Sequence, residues 1–175
     1  MIEREAAVTF LGRPLTLVGE PLRVGDKAPD FTALTGGLEL APYSLQDGTG
    51  KVRIFNVVVS LDTPVCEAQT RRFNEEAAQL PGTEILTVSA DLPFAQARWA
   101  RLAKAGKTLR MLSDHRDLSF GEAYGVAVKE LRLLGRAIFV VDADNQVTYV
   151  EYVDELTHEP DYTAALEAAR AAAGG

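Results

Sequence analysis

The chain has 175 residues, 47% of them hydrophobic and 25% charged, with a formal net charge of -7. That length suits one well-cored domain rather than two. The acidic balance argues against nucleic acid or an anionic membrane as partner, and no apolar run reaches transmembrane length.

Met1-Ile2-Glu3-Arg4-Glu5 is charged and has no apolar stretch behind it, so a secretory signal is not expected. One cysteine without an export signal fits a reducing compartment, and a cytoplasmic location is expected. Ala7 to Phe10 and Leu15 to Val18 predict two strands around Gly12-Arg13-Pro14, a hairpin. Residues 1–20 thus read as a hairpin extension of a single domain over 1–175. Gly25 to Phe31 is loop-like, punctuated by glycine and proline.

Val52 to Val59 is almost unbroken apolar and β-branched, the pattern of a buried strand. From Cys66 the apolar or small positions are Cys66, Thr70, Phe73, Ala77 and Leu80. Glu67, Arg71, Arg72, Glu75 and Glu76 take the other face. This spacing predicts an amphipathic helix, stopped by Pro81-Gly82. Ile85 to Val88 is the next strand. Pro93 to Lys104 is the next helix, with Asp91 as a candidate cap. Leu109 to Leu112 reads as a strand and Leu118 to Tyr124 as a short helix ended by Gly125. Ala137 to Val141 and Val147 to Val153 predict a second hairpin around Asp142-Ala143-Asp144-Asn145. Asp161 to Ala173 is a closing helix, and residues 171–175 are expected to fray. The alternation predicts an α/β fold with a mixed sheet and helices on both faces, compatible with a thioredoxin-like core.

The lone cysteine stands where the buried strand turns into the helix, in Ser60-Leu61-Asp62-Thr63-Pro64-Val65-Cys66. Thr63 suits the N-cap, with its hydroxyl accepting from the Cys66 N–H, and Pro64 suits the first helical position. The same hydroxyl is also placed to donate to a thiolate or to a substrate oxygen. Cys66 then sits in the first turn, where the helix dipole favours thiolate, the nucleophilic form. Arg71 and Arg72 lie too far along the helix to reach it. Arg136, opening the apolar run Ala137 to Val141, is the candidate cation. A charge at the edge of a core strand needs a reason. The competing readings are a buried, inert Cys66 and a surface Arg136 paired with Asp142 or Glu151. His115 and His158 sit in polar loop contexts, and nothing brings either to Cys66. Metal-ligand spacing and a glycine-rich phosphate loop are absent, so no metal or cofactor is expected.

Several segments resemble the thiol peroxidase branch of the peroxiredoxins. They are Ser60 to Cys66, Gln69-Thr70-Arg71-Arg72-Phe73-Asn74, Ser89 to Gln96, Leu133 to Asp142, Tyr149 to Asp154 and Glu159 to Tyr162. The resemblance implies a thioredoxin-like fold, a homodimer, and reduction of hydrogen peroxide and organic hydroperoxides. It implies Cys66 as peroxidatic cysteine, Thr63 as the motif threonine and Arg136 as the arginine supporting the thiolate. Two positions depart from the pattern. Val59 stands where the motif has proline, and Ala100 where a resolving cysteine follows the Arg98-Trp99 pair. With one cysteine, sulfenic acid at Cys66 must be reduced by an external thiol, a thioredoxin-like protein or a small thiol. The alternative is a catalytically weakened redox sensor or binding module on the same fold. Cysteine hydrolase chemistry lacks a placed histidine.

Overall fold

The computed structural model describes residues 1–105 and 109–174, apart from the Ala77 side chain. Its centre is a seven-stranded mixed sheet. The inner strands β5 (Val52–Val57), β6 (Thr83–Ser89) and β7 (Leu109–Ser113) run parallel. β10 (Ala137–Val141) pairs antiparallel with β5 on one side and β11 (Val147–Tyr152) on the other. The predicted second hairpin is therefore formed. On the far edge, β3 (Thr32–Thr35) and β4 (Pro42–Ser44) extend the sheet beyond β7.

The predicted N-terminal strands are β1 (Glu3–Phe10) and β2 (Arg13–Val18). They do not stand alone. β8 (Ala127–Val128) and β9 (Leu133–Leu134) join β2 to make a second, four-stranded sheet. The sequence reading lacked β3, β4, β8 and β9.

Apart from Arg110 of β7, the inner strands are buried on both faces, as suits parallel strands in an α/β fold. Side-chain alternation divides two cores. Ile54, Ile85, Ile138 and Val140 join Phe73 of α1 (Pro64–Ala77), Trp99 of α2 (Pro93–Leu102) and Leu166 of α4 (Tyr162–Ala172). Phe55, Leu86, Phe139 and Val141 face the opposite side, with Phe31, Phe120 and Tyr124. Phe120 and Tyr124 stack at 4.1 Å between ring centres.

Two helices end earlier than predicted. α1 stops at Ala77, where Ala78 caps it and Gln79 closes a turn on Glu76, so Leu80 is buried from the loop. α2 stops at Leu102, and Lys104 turns left-handed at φ 51°. Asp91 does not cap α2; its carboxylate is used elsewhere. α4 runs to Ala172, and Gly175 lies outside the described residues.

The start of α3 (Ser119–Ala123) is held by Asp114, which is 2% exposed. Its carboxylate accepts from the backbone N–H groups of Phe120 (3.0 Å) and Gly121 (2.8 Å). Burial nevertheless pushes this carboxyl up from 3.8 to about 6. Between those values the unfolded chain ionises Asp114 while the native chain keeps the proton. Native binding of more protons means that stability falls as pH rises through this window. Asp114→Asn removes the titration. Urea unfolding at pH 4 and pH 6.5 should show the variant gaining on the parent by on the order of 2 kcal/mol as pH rises. A stability difference that stays constant between the two pH values excludes a raised Asp114.

Candidate active site

Thr63 is the N-cap of α1 in extended backbone (φ -103°), Pro64 is the first helical residue and Cys66 the third. The proline costs the helix nothing at a position whose N–H has no intrahelical partner. The helix start is thus as expected, but the cap is not. The Thr63 hydroxyl makes no capping bond. It donates to the Ser60 carbonyl at 2.9 Å, which also accepts the Thr63 N–H at 3.1 Å. The tight 60–63 turn brings that carbonyl nearer than the helix N–H groups. Its proton is committed there, so the Thr63 oxygen is left free to accept rather than donate.

Cys66 is fully buried. A cation nevertheless reaches it. Arg136, 3% exposed, directs Nη2 at Cys66 Sγ from 3.3 Å. The surface ion pairs considered for Arg136, with Asp142 or Glu151, are not formed. Its Nε and Nη2 donate instead to the Leu156 carbonyl, at 3.1 and 2.6 Å, and Nη1 donates to Gln69 Oε1 at 2.6 Å. Among the described residues four of the five guanidinium N–H bonds thus have partners. The remaining Nη1 hydrogen is available to a guest.

Arg71 and Arg72 are spent elsewhere, as their place on the helix requires. Arg71 pairs with Glu67 at 2.8 Å and Arg72 with Glu76 at 3.7 Å. His115 lies 3.0 Å from the Ser113 hydroxyl, and His158 is exposed. Neither histidine makes a contact to Cys66 among the described residues, which leaves the hydrolase reading without a base.

Three functional neighbours escaped the sequence reading of the site. Asp91 accepts from Ser60 Oγ (2.7 Å), the Leu61 N–H (2.9 Å) and Ser89 Oγ (2.7 Å). It latches the turn before α1 to the end of β6. Gln69, one turn after Cys66 and fully buried, holds the guanidinium. Asn56, fully buried in β5, accepts from Gln69 Nε2 at 2.5 Å. A polar Asn56 inside the apolar run Val52 to Val59 was the available signal, since a buried amide must find partners.

A cavity of about 240 Å³ reaches Arg136, lined by Phe10, Leu11, Val59, Thr63, Pro64, Val65, Arg136, Leu156 and Thr157, while the Cys66 sulfur lies buried behind that arginine and is not part of the wall. Apart from Arg136 and the two threonines its wall is apolar. Among the described residues no group of three or more histidines, cysteines or acids is arranged to hold a metal ion. No described helix is long and apolar enough to cross a membrane.

The Redoxin family model matches residues 23–166. The thiol peroxidase of Halalkalibacterium halodurans is 61% identical over 168 residues, covering 95% of this chain and 99% of that protein. This chain belongs to the thiol peroxidases of the Redoxin family. The Bacillus subtilis thiol peroxidase is 57% identical over 166 residues, covering 95% of this chain and 98% of its own length. The crystal structure of a peroxiredoxin-like protein from Aquifex aeolicus superposes with a TM-score of 0.87 at 36% identity, over 96% of this chain and 98% of that one. The thioredoxin-like fold and the thiol-dependent peroxidase expected from the sequence agree with this membership. Cys66 is the sole cysteine of the chain, so no thiol peroxidase cycle through an intrachain disulfide is open to it.

Proposed function

We propose that Cys66 is the peroxidatic nucleophile of a one-cysteine peroxidase acting on hydrogen peroxide and organic hydroperoxides. The observation that carries this reading is Arg136 Nη2 at 3.3 Å from the sulfur, on a residue that also lines the cavity. A guanidinium stabilises both the attacking thiolate and the negative charge arriving on the departing oxygen. The thiolate attacks the terminal peroxide oxygen. An S–O bond forms as the O–O bond breaks, and the alkoxide or hydroxide leaves with the electron pair and takes a proton. Cys66 becomes sulfenic acid, and the hydroperoxide becomes an alcohol or water. Thr63 Oγ1, whose own proton is held by Ser60, accepts from the hydroperoxide O–H and aims the reacting oxygen at sulfur. The free Nη1 hydrogen of Arg136 holds the peroxide oxygens.

Two equivalents of an external thiol complete the cycle. The first displaces water from sulfenic acid to give a mixed disulfide, and the second releases Cys66 and a disulfide. A thioredoxin-like protein or a small thiol fits this role. The same reading takes residues 1–175 as one domain with 1–20 as its hairpin extension, acting as a homodimer in the cytoplasm.

The test is mass spectrometry after one equivalent of peroxide, with and without thioredoxin, on the parent and on Cys66→Ser. The parent should gain one oxygen, and thioredoxin should remove it. Cys66→Ser should gain none. If the parent oxidises no faster than a free thiol under the same conditions, the chain is a weakened sensor or binding module and the enzyme reading fails.

A further inference from the structure

The tip of the β1–β2 hairpin forms part of the wall of the cavity that reaches Arg136, and one carboxylate holds it there. Phe10 and Leu11 line that cavity. They remain 38% and 74% exposed, and Leu11 has left-handed backbone at φ 51°. A branched residue seldom holds that conformation unaided. Glu155 supplies the aid. Its carboxylate accepts from the N–H groups of Leu11 (3.0 Å) and Gly12 (3.1 Å) and from Thr9 Oγ1 (2.8 Å). The N–H and hydroxyl of Thr157 close the other side at 3.1 and 2.9 Å.

Backbone bonds join the same two segments. The Thr9 N–H donates to the Asp154 carbonyl at 2.7 Å, and the Leu156 N–H donates to the Thr9 carbonyl at 2.8 Å. Leu156 in turn holds Arg136 through its own carbonyl. Residues 154–157 therefore tie the hairpin tip and the active-site arginine to one short segment. The Gly12 N–H and the Thr9 hydroxyl, with smaller help from Thr157, hold the Glu155 carboxyl down to about 2. The clamp stays ionised at neutral pH.

We infer that Glu155 is a positioning residue for substrate choice: it fixes Phe10 and Leu11 as an apolar wall that receives the organic part of an organic hydroperoxide. This rests on the peroxidase reading above and deepens it. Hydrogen peroxide has no organic part and gains nothing from the wall. A cumyl or alkyl group buries apolar surface against it.

The experiment compares the full chain with Glu155→Gln and Leu11→Ser. Glu155→Gln keeps the shape of the side chain but turns an N–H₂ group toward donors. Rate constants for Cys66 oxidation are measured with cumene hydroperoxide and with hydrogen peroxide. The ratio of the two, cumene over hydrogen peroxide, should fall about fivefold in both variants, the size expected for exposing part of one aliphatic contact. Amide hydrogen exchange at Leu11 and Gly12 should speed up in Glu155→Gln, a readout that needs no activity. Unchanged exchange at those amides overturns the clamp. Faster exchange with an unchanged substrate ratio overturns the role in specificity. A parent chain that oxidises with neither hydroperoxide overturns the peroxidase reading and the specificity role with it, while amide exchange still reports on the clamp.

Discussion

Arg136→Lys is expected to slow oxidation of Cys66 by hydroperoxide about 10²–10³-fold, the usual effect of losing a charge-stabilising donor at a reacting centre. The positive charge survives this substitution, so the loss must come from geometry. Arg136 makes three kinds of contact at once: two bonds to the Leu156 carbonyl, one to Gln69 Oε1 and one to Cys66 Sγ. A planar fork reaches all three directions, and one ammonium on a flexible stem does not. At 3.3 Å and an effective dielectric near 20, the gross attraction between guanidinium and thiolate is about 5 kcal/mol. Desolvating both ions offsets much of it. What matters for rate is the part that grows as charge moves to the leaving oxygen. Lysine also leaves Gln69 Oε1 or the Leu156 carbonyl without a donor, at about 1–3 kcal/mol of stability. Stopped-flow mixing of reduced protein with hydrogen peroxide measures the rate. A variant within threefold of the parent would show that charge alone suffices and that the fork has no role.

The elements that carry the site were legible because their burial is written into their own residues. The run Val52 to Val59 can only be a buried strand, and the stripe through Cys66, Thr70 and Phe73 can only be one helix face. Arg136 was legible by contrast, as a charge at the mouth of an apolar strand. β8 and β9 were not legible. Each is two residues long and exists because β2 offers an edge to pair with. The Thr63 hydroxyl had two acceptable roles within a few residues, and only the backbone path of the 60–63 turn decides between them. Arg53 and Asn56 hid in the apolar run for the same reason. Both are fully buried, but partners that decide their burial come from elsewhere in the chain, Asp142 and Asn145 for Arg53 (beside the nearby Leu45 and Lys51 carbonyls) and Thr70, Gln69 and Thr87 for Asn56. A single sequence shows that such a residue needs partners without saying which.

Asn56→Leu tests whether Arg136 is aimed from behind. An arginine can only donate. Gln69 must therefore present Oε1 to Arg136, which leaves its Nε2 to donate onward. Asn56 Oδ1 takes that bond, and Asn56 Nδ2 then donates to Thr87 Oγ1 at 3.0 Å and Thr70 Oγ1 at 3.3 Å. One polarity thus runs from the guanidinium through two amides to two hydroxyls. Asn56, Gln69, Thr70 and Thr87 have no exposed surface, so water cannot replace a missing member. Leucine keeps the volume and deletes the acceptor. Gln69 Nε2 is then left with only the Val57 carbonyl at 3.5 Å, too long for a good bond. The expected cost is about 2–4 kcal/mol of stability in urea unfolding, from several buried groups losing partners together. The rate of Cys66 oxidation should fall about tenfold, since a guanidinium freed on one side loses its fixed aim at sulfur and substrate. Asn56→Asp keeps the acceptor for Gln69, because both threonine hydroxyls can rotate to donate. It should therefore recover more of the oxidation rate than of the stability, the buried carboxylate being costly in itself. A folded Asn56→Leu protein that oxidises at the parental rate would show that the Leu156 carbonyl alone fixes Arg136, and that the amide chain serves only the core.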